Sequence, residues 1–155
     1  MVQLVEINET NWPEARKLSV KDEQQGFLDS AAGILARGYV YRASRARVIG
    51  ISDDGTMVGL ALVRDLQEEP ACYDLQQFMI DRRFQGRGYG TAALRLILAA
   101  LERERRFDCV EVCVKQDDAA ALHVYENAGF EDSGYFDPDC PDSVNLILRF
   151  DRIKE

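Results

Sequence analysis

The stretch with the clearest chemistry is Gln85-Gly86-Arg87-Gly88-Tyr89-Gly90-Thr91, where glycines alternate between an apolar run and a helical pattern. Glycine reaches backbone conformations closed to other residues and lets a ligand approach the main chain, so successive N–H groups can converge on an anion. A helix opening at this point adds unpaired donors and a partial positive charge. Together these predict a phosphate or pyrophosphate site. The alternative is a turn that only reverses the chain, and three alternating glycines before a strong helix argue against it. No lysine precedes Thr91, so this is not a Walker loop. The G-x-G-x-G spacing also departs from the dinucleotide fingerprint, although Asp108 stands near the offset of a ribose-binding acid.

Tyr125 is the second candidate. Asp118, Ala121, Leu122 and Tyr125 share one helical face, which places the phenol over a mostly small, apolar stripe. Its reference pKa of ~10 keeps it protonated at neutral pH and able to act as an acid. By pattern alone, a core tyrosine with a satisfied hydroxyl would look the same. Other chemistries lack their parts. His123 is the sole histidine and there is no G-x-S-x-G, so a nucleophile-histidine scheme would need that one residue, which leaves the helix in a different direction from Tyr125. Cys72, Cys109, Cys113 and Cys140 show no metal-ligand spacing, and no metal is expected. If Cys109 to Val114 is a strand, Cys109 and Cys113 lie roughly 13 Å apart on one face, too far for a disulfide. Reduced thiols in or near the core fit a reducing compartment.

The elements that must position these groups follow from periodicity. Val2 to Ile7 alternates as a strand, and Trp12-Pro13 to Leu18 reads as a short helix with proline in its first turn. A second helix is expected from Ser30 to Arg37, stopping at Gly38. Arg47–Ile51 and Met57–Arg64 form a hairpin around Asp53-Asp54-Gly55, and Cys72–Ile80 is the next strand. Leu94, Ile97, Leu98 and Leu101 make the apolar stripe of a helix that starts at the glycine turn. Val110 to Val114 is a strand. The Tyr125 helix follows Asp117-Asp118 and closes at Gly129, and Asn145 to Phe150 makes a last strand. The expected fold is one α/β domain over residues 1–155, with a mixed sheet and helices on both faces.

Composition bounds the partners. The 155 residues are 46% hydrophobic and 30% charged, which suits a packed globular core. Nineteen basic against 27 acidic side chains leave a net charge of −8. Nucleic-acid binding through a basic face is therefore not expected, and the basic group Arg103, Arg105 and Arg106 reads as a solvated helix end. The crowd Glu131, Asp132, Asp137, Asp139 and Asp142 reads as ordinary turn residues, or as a field that concentrates a cationic substrate. Apolar runs are too short to span a bilayer, and the N-terminus lacks a signal-peptide pattern. A cytoplasmic protein is expected.

Two segments carry a resemblance. Gln85-Gly86-Arg87-Gly88-Tyr89-Gly90 is similar to the Q/R-x-x-G-x-G/A signature of the GNAT superfamily of acetyl-CoA-dependent N-acetyltransferases, and Ala121-Leu122-His123-Val124-Tyr125-Glu126-Asn127-Ala128-Gly129-Phe130 to its A-x-x-x-Y-E-x-x-G-F segment. The order of strands agrees from Val2 to Phe150, which implies the mostly antiparallel GNAT sheet. The run from Leu75 to Gly90 resembles bacterial spermidine and diamine acetyltransferases.

The resemblance implies that main-chain N–H groups from Gln85 through Gly86, Arg87, Gly88, Tyr89 and Gly90, with Thr91, hold the pyrophosphate of CoA. It implies that Met79 and Ile80 pair with the pantetheine arm, and that an N–H there polarises the thioester carbonyl. Tyr125 would protonate the leaving thiolate. Asp74 falls where some members carry a glutamate base, and Glu23 lies in a segment that borders the acceptor. Lys115 and Asp118 stand where asparagines often precede the tyrosine helix; Asp118 can cap the helix but cannot donate an amide hydrogen bond to pantetheine. The expected activity is acetyl transfer from acetyl-CoA to a small cationic amine such as spermidine or spermine, by a homodimer. A non-catalytic acyl-CoA sensor, and an acetyltransferase for a protein N-terminus or an aminoglycoside, remain as alternatives.

Overall fold

The computed structural model describes residues 1–151. Its elements are β1 (Val2–Glu6), α1 (Trp12–Ala15), α2 (Ala31–Val40), β2 (Arg47–Asp53), β3 (Thr56–Leu66), β4 (Cys72–Ile80), α3 (Tyr89–Glu104), β5 (Cys109–Lys115), α4 (Ala119–Asn127), β6 (Glu131–Asp132) and β7 (Ser143–Arg149), with one-turn 3-10 segments at Asp22–Gln24 and Arg42–Ser44. The strands form one sheet in the order β1-β2-β3-β4-β5-β7-β6. Every neighbouring pair is antiparallel except β4 and β5, which run parallel on either side of the crossover through α3. The mixed, mostly antiparallel sheet with helices on both faces is the expected one.

Each face of the sheet has its own core. Leu94, Ile97, Leu98 and Leu101 of α3, with Tyr125 of α4, pack on Ala61, Val63, Tyr73, Leu75, Val110 and Val112. On the other face, Ala15, Leu18, Ala31 and Ile34 pack on Leu60, Leu62 and Met79. Strand β3 is covered on both sides, which is why Met57–Val63 is an unbroken apolar run instead of an alternating one.

Two helix boundaries differ from the sequence expectation. Helix α1 ends at Ala15 rather than Leu18. Helix α2 runs through Gly38 to Val40, because Gly38 is a packing position: a Cβ there would lie 2.7 Å from Val48 Cγ2. The order of elements read from the sequence ends β-α-β-α-β-β, and the first of its last two strands is the two-residue β6, so Glu131 and Asp132 lie in that strand instead of in the loop after it. Cys72 and Cys109 are buried, whereas Cys113 is exposed, so the expectation of core thiols fails at that position.

The feature that makes room for a site is local. Strands β4 and β5 pair only at Tyr73 with Val110 and Asp74 with Glu111. Past that point they part. On its other edge β4 slips against β3, with Leu62 opposite Gln77 but Val63 opposite Leu75, so Gln76 is an extra, bulged residue. A bulge bends and twists the strand that carries it, and the bend falls where the β4–β5 ladder ends.

Candidate active site

A cleft of about 260 Å³ opens where the two strands separate. Its walls bring together β4 (Phe78, Met79, Ile80), the glycine turn (Gln85, Gly86, Gly88), the first turn of α3 (Tyr89, Gly90, Thr91) and α4 (Asp118, Ala121, Tyr125). Elements far apart in sequence therefore meet around one space.

The glycine turn has the backbone conformation its residue types predict. Gly86 and Gly88 hold φ of 78° and 83°, a left-handed conformation that strains any residue with a Cβ. Gly88 is the N-cap of α3 and offers no side-chain cap. The first N–H groups of a helix have no partner within it, and here Gly88, Tyr89, Gly90 and Thr91 all border the cleft. The turn is braced from outside. Gln85 Nε2 donates to the Ile80 carbonyl at 2.9 Å and to Gln24 Oε1 at 2.8 Å, while Gln24 Nε2 donates back to Gln85 Oε1. The Gln85 side chain is thus engaged within the protein, and the Ile80 carbonyl already has a donor.

Asp81 anchors the same turn. Its buried carboxylate accepts from Ser19 N–H at 2.9 Å and from Arg83 N–H and Nε at 2.9 and 2.8 Å. Burial alone would raise its pKa, but these hydrogen bonds and the Arg83 charge outweigh it and hold the group below the ordinary carboxylate range.

At the opposite wall, Tyr125 is 6% exposed. Its ring packs edge-on against Phe130 at 5.3 Å and tilted against Phe78 at 6.3 Å between centroids. The hydroxyl has no hydrogen-bond partner among the described residues. Burial, with the Asp118 carboxylate adding to it, pushes the phenol well above its usual pKa, so the proton stays on oxygen. Asp118 caps α4 by accepting from Ala121 N–H at 3.2 Å, and burial raises its pKa.

Other predicted residues lie elsewhere. Asp74 does not line the cleft; it sits at the last β4–β5 pairing, 2.9 Å from Arg64 Nε. Burial raises its pKa, opposed by Arg64. Glu23 is exposed in the first 3-10 turn, and it is its neighbour Gln24 that reaches the cleft. Arg87 lies outside the lining with its guanidinium 5.8 Å from the Phe84 ring. His123 is exposed and contacts Asn127 at 3.0 Å. Sequence reasoning missed Val20, Gln24, Phe27 and Leu28, which close the cleft from the segment between α1 and α2. That segment has no period to show which residue faces inward.

The residues present suit an extended ligand with an anionic end. Open glycines and free helix donors face one end. Past Asp74, the β4 main-chain groups on the side away from β3 have no pairing with β5, so they are free to bond an added strand-like arm. Asp118 offers no amide donor to such an arm.

Comparison with known proteins gives the family and the fold. The sequence pattern of the Acetyltransferase (GNAT) family matches residues 2–130. The chain is 34% identical over 83 residues to an L-amino acid N-acetyltransferase, AaaT, of Escherichia coli (strain K12), covering 52% of this chain and 51% of that protein. It is 33% identical over 87 residues to the N-alpha-acetyltransferase RimI of Mycobacterium tuberculosis (strain ATCC 25618 / H37Rv), covering 56% and 52% respectively. The matches thus span about half the length of these curated relatives. Among solved structures, the spermidine N-acetyltransferase from Vibrio cholerae in complex with CoA and spermine superposes with a TM-score of 0.73 at 15% identity, covering 96% of this chain and 95% of that one. At that identity the likeness is one of fold.

Proposed function

Because the chain belongs to the GNAT acetyltransferase family, we propose that it transfers the acetyl group of acetyl-CoA to a primary amine by direct attack. The observation that carries this reading is the meeting, in one cleft, of open helix donors, a split parallel strand pair and a buried phenol with an unpartnered hydroxyl. Main-chain donors from Gly86 to Thr91 hold the pyrophosphate, and the free edge of β4 near Met79 holds pantetheine. The neutral amine attacks the thioester carbon, forming a C–N bond and a tetrahedral intermediate. Collapse breaks the C–S bond, the Tyr125 O–H gives its proton to the departing thiolate, and solvent returns a proton to the Tyr125 oxygen. Asp74 is ion-paired with Arg64 outside the cleft lining, so the amine's proton passes to water instead.

For the acceptor, the wall formed by Val20, Phe27 and Leu28 favours an amine beside an apolar group, such as the α-amine of an amino acid or peptide. Relatives acting on L-amino acids and on N-alpha groups support the same class. A polyamine is the second reading, favoured by the net charge of −8 and the acidic segment after α4. Two of those acids have ordinary turn roles, Asp132 accepting from Gly134 N–H and Asp137 from Asp139 N–H. Thiol release from acetyl-CoA, measured with L-phenylalanine, an alanine-initiated tetrapeptide and spermidine, tests the proposal. Turnover with either α-amine supports the first reading, and turnover with spermidine alone supports the second. CoA binding without amine-dependent release would refute transfer and point to an acyl-CoA sensor.

A further inference from the structure

The walls of the cleft made by β4, α3 and α4 belong to the sheet and its covering helices. The part of the wall that carries the half-buried Phe27 and Leu28 is attached differently. Residues 21–28 contain only the 3-10 segment Asp22–Gln24, and a Cβ added at Gly26 would meet nothing within 4 Å. Among the described residues, one hydrogen-bonded link joins this segment to the rest of the chain, the amide pair Gln24–Gln85. The next link falls at Asp29, whose N–H donates to Gln77 Oε1 at 3.0 Å. Gln24 also holds its own segment together. Its Oε1 accepts from Lys21 N–H at 3.1 Å and its carbonyl from Phe27 N–H at 3.0 Å.

The other partner, Gln85, opens the glycine turn, and both glutamines line the cleft. Gln85 Nε2 is shared between Gln24 Oε1 and the Ile80 carbonyl, so the pair sits where β4, the turn and the acceptor wall meet. The turn is lightly packed, since a Cβ at Gly86 or Gly88 would also meet nothing within 4 Å. An anion bonded to its N–H groups therefore restricts the turn, and with it Gln85. We infer that Gln24 is a positioning residue that ties the acceptor wall to the cofactor turn, so that CoA held by the turn also fixes Phe27 and Leu28. The inference rests on the acetyl-transfer reading above. An amine that meets a wall already fixed loses less conformational freedom in ordering it. By linkage, each ligand then strengthens the binding of the other by the same factor. A fixed wall also holds the amine in one orientation toward the thioester.

The test compares the wild type with Gln24→Met, which keeps the side-chain length and removes both ends of the amide. Hydrogen exchange of the Phe27 amide and of the amides from Gly86 to Thr91 is followed by NMR, with and without CoA. In the wild type, CoA slows exchange in the turn and slows Phe27 about tenfold, the scale of one to two net hydrogen bonds. In Gln24→Met the turn is slowed as before, whereas CoA no longer slows Phe27. A merely structural Gln24 would speed Phe27 equally with and without CoA, leaving the ratio of the two rates unchanged, and that result overturns the inference. So does a wild type in which CoA slows the turn but not Phe27. Thiol release with the three amines named above gives a second readout. In Gln24→Met the KM for the amine rises about tenfold with kcat little changed, and calorimetric CoA affinity is no weaker. An unchanged amine KM, or weaker CoA binding, overturns the inference and leaves acetyl transfer standing. Coupled exchange in a wild type that releases no thiol overturns transfer and keeps the coupling. A wild type in which CoA slows neither region and no amine releases thiol overturns both readings.

Discussion

Replacing Tyr125 with phenylalanine separates structure from chemistry more cleanly than any other change in this cleft. The ring is 6% exposed, and its contacts with Phe130 and Phe78 are made by carbon atoms that phenylalanine retains. The hydroxyl has no partner among the described residues, so its removal breaks no internal hydrogen bond. Unfolding free energy is then unchanged to within ~1 kcal/mol, because no internal hydrogen bond is lost and the ring contacts are kept. The chemical effect is larger. A positioned proton donor contributes about 10²–10⁴ in rate, which corresponds to about 2.7–5.4 kcal/mol of barrier. Urea melts, CoA titration and amine-dependent thiol release on the same samples check both halves. A kcat within threefold of wild type would remove Tyr125 from the mechanism. A stability loss above ~1 kcal/mol would show that the hydroxyl holds the core together, contrary to the absence of any partner.

Three further outcomes follow from the surrounding scaffold. Gly88→Val places a β-branched side chain at φ 83° and into the cleft; it lowers stability by about 1–2 kcal/mol and abolishes CoA binding in calorimetry, whereas intact binding would show that the turn does not cradle the ligand. Asp81→Asn leaves Ser19 and Arg83 donors poorly matched, costing about 2–3 kcal/mol in urea melts. Because the folded pKa of Asp81 lies below its unfolded value, its contribution is fully present above the unfolded value, about pH 4, and disappears as the pH falls through the lower folded value. The acid-side slope of stability against pH is therefore shallower in Asp81→Asn. Asp118→Ala removes the α4 cap and costs about 1 kcal/mol of stability by thermal melting.

The parts of the site that depend on local chain chemistry were legible from sequence. Alternating glycines before an apolar helical stripe state both the turn and the helix-end donors it exposes, because positive φ and helix-end donors are properties of a few consecutive residues. The face of α4 that carries Tyr125 follows from helical spacing in the same way. Asp74 and Glu23 show the limit. Spacing from Gln85 places Asp74 on the strand that leads to the cleft, but only the β3–β4 pairing reveals Arg64 beside it. Glu23 and Gln24 are adjacent in a polar run, and it is the tertiary contact with Gln85 that turns Gln24 inward.

What the sequence by itself determined is the set of elements, the glycine turn and the phenol on a small-residue helical face, all consequences of short-range periodicity and backbone sterics. What only the tertiary structure decided is the cleft. The parting of β4 from β5, the bulge at Gln76, the unpartnered Tyr125 hydroxyl and the closing wall of Val20, Phe27 and Leu28 depend on strand registers and packing between segments distant in the chain. Those registers minimise the free energy of the whole sheet and both of its cores, so no short window of sequence contains them.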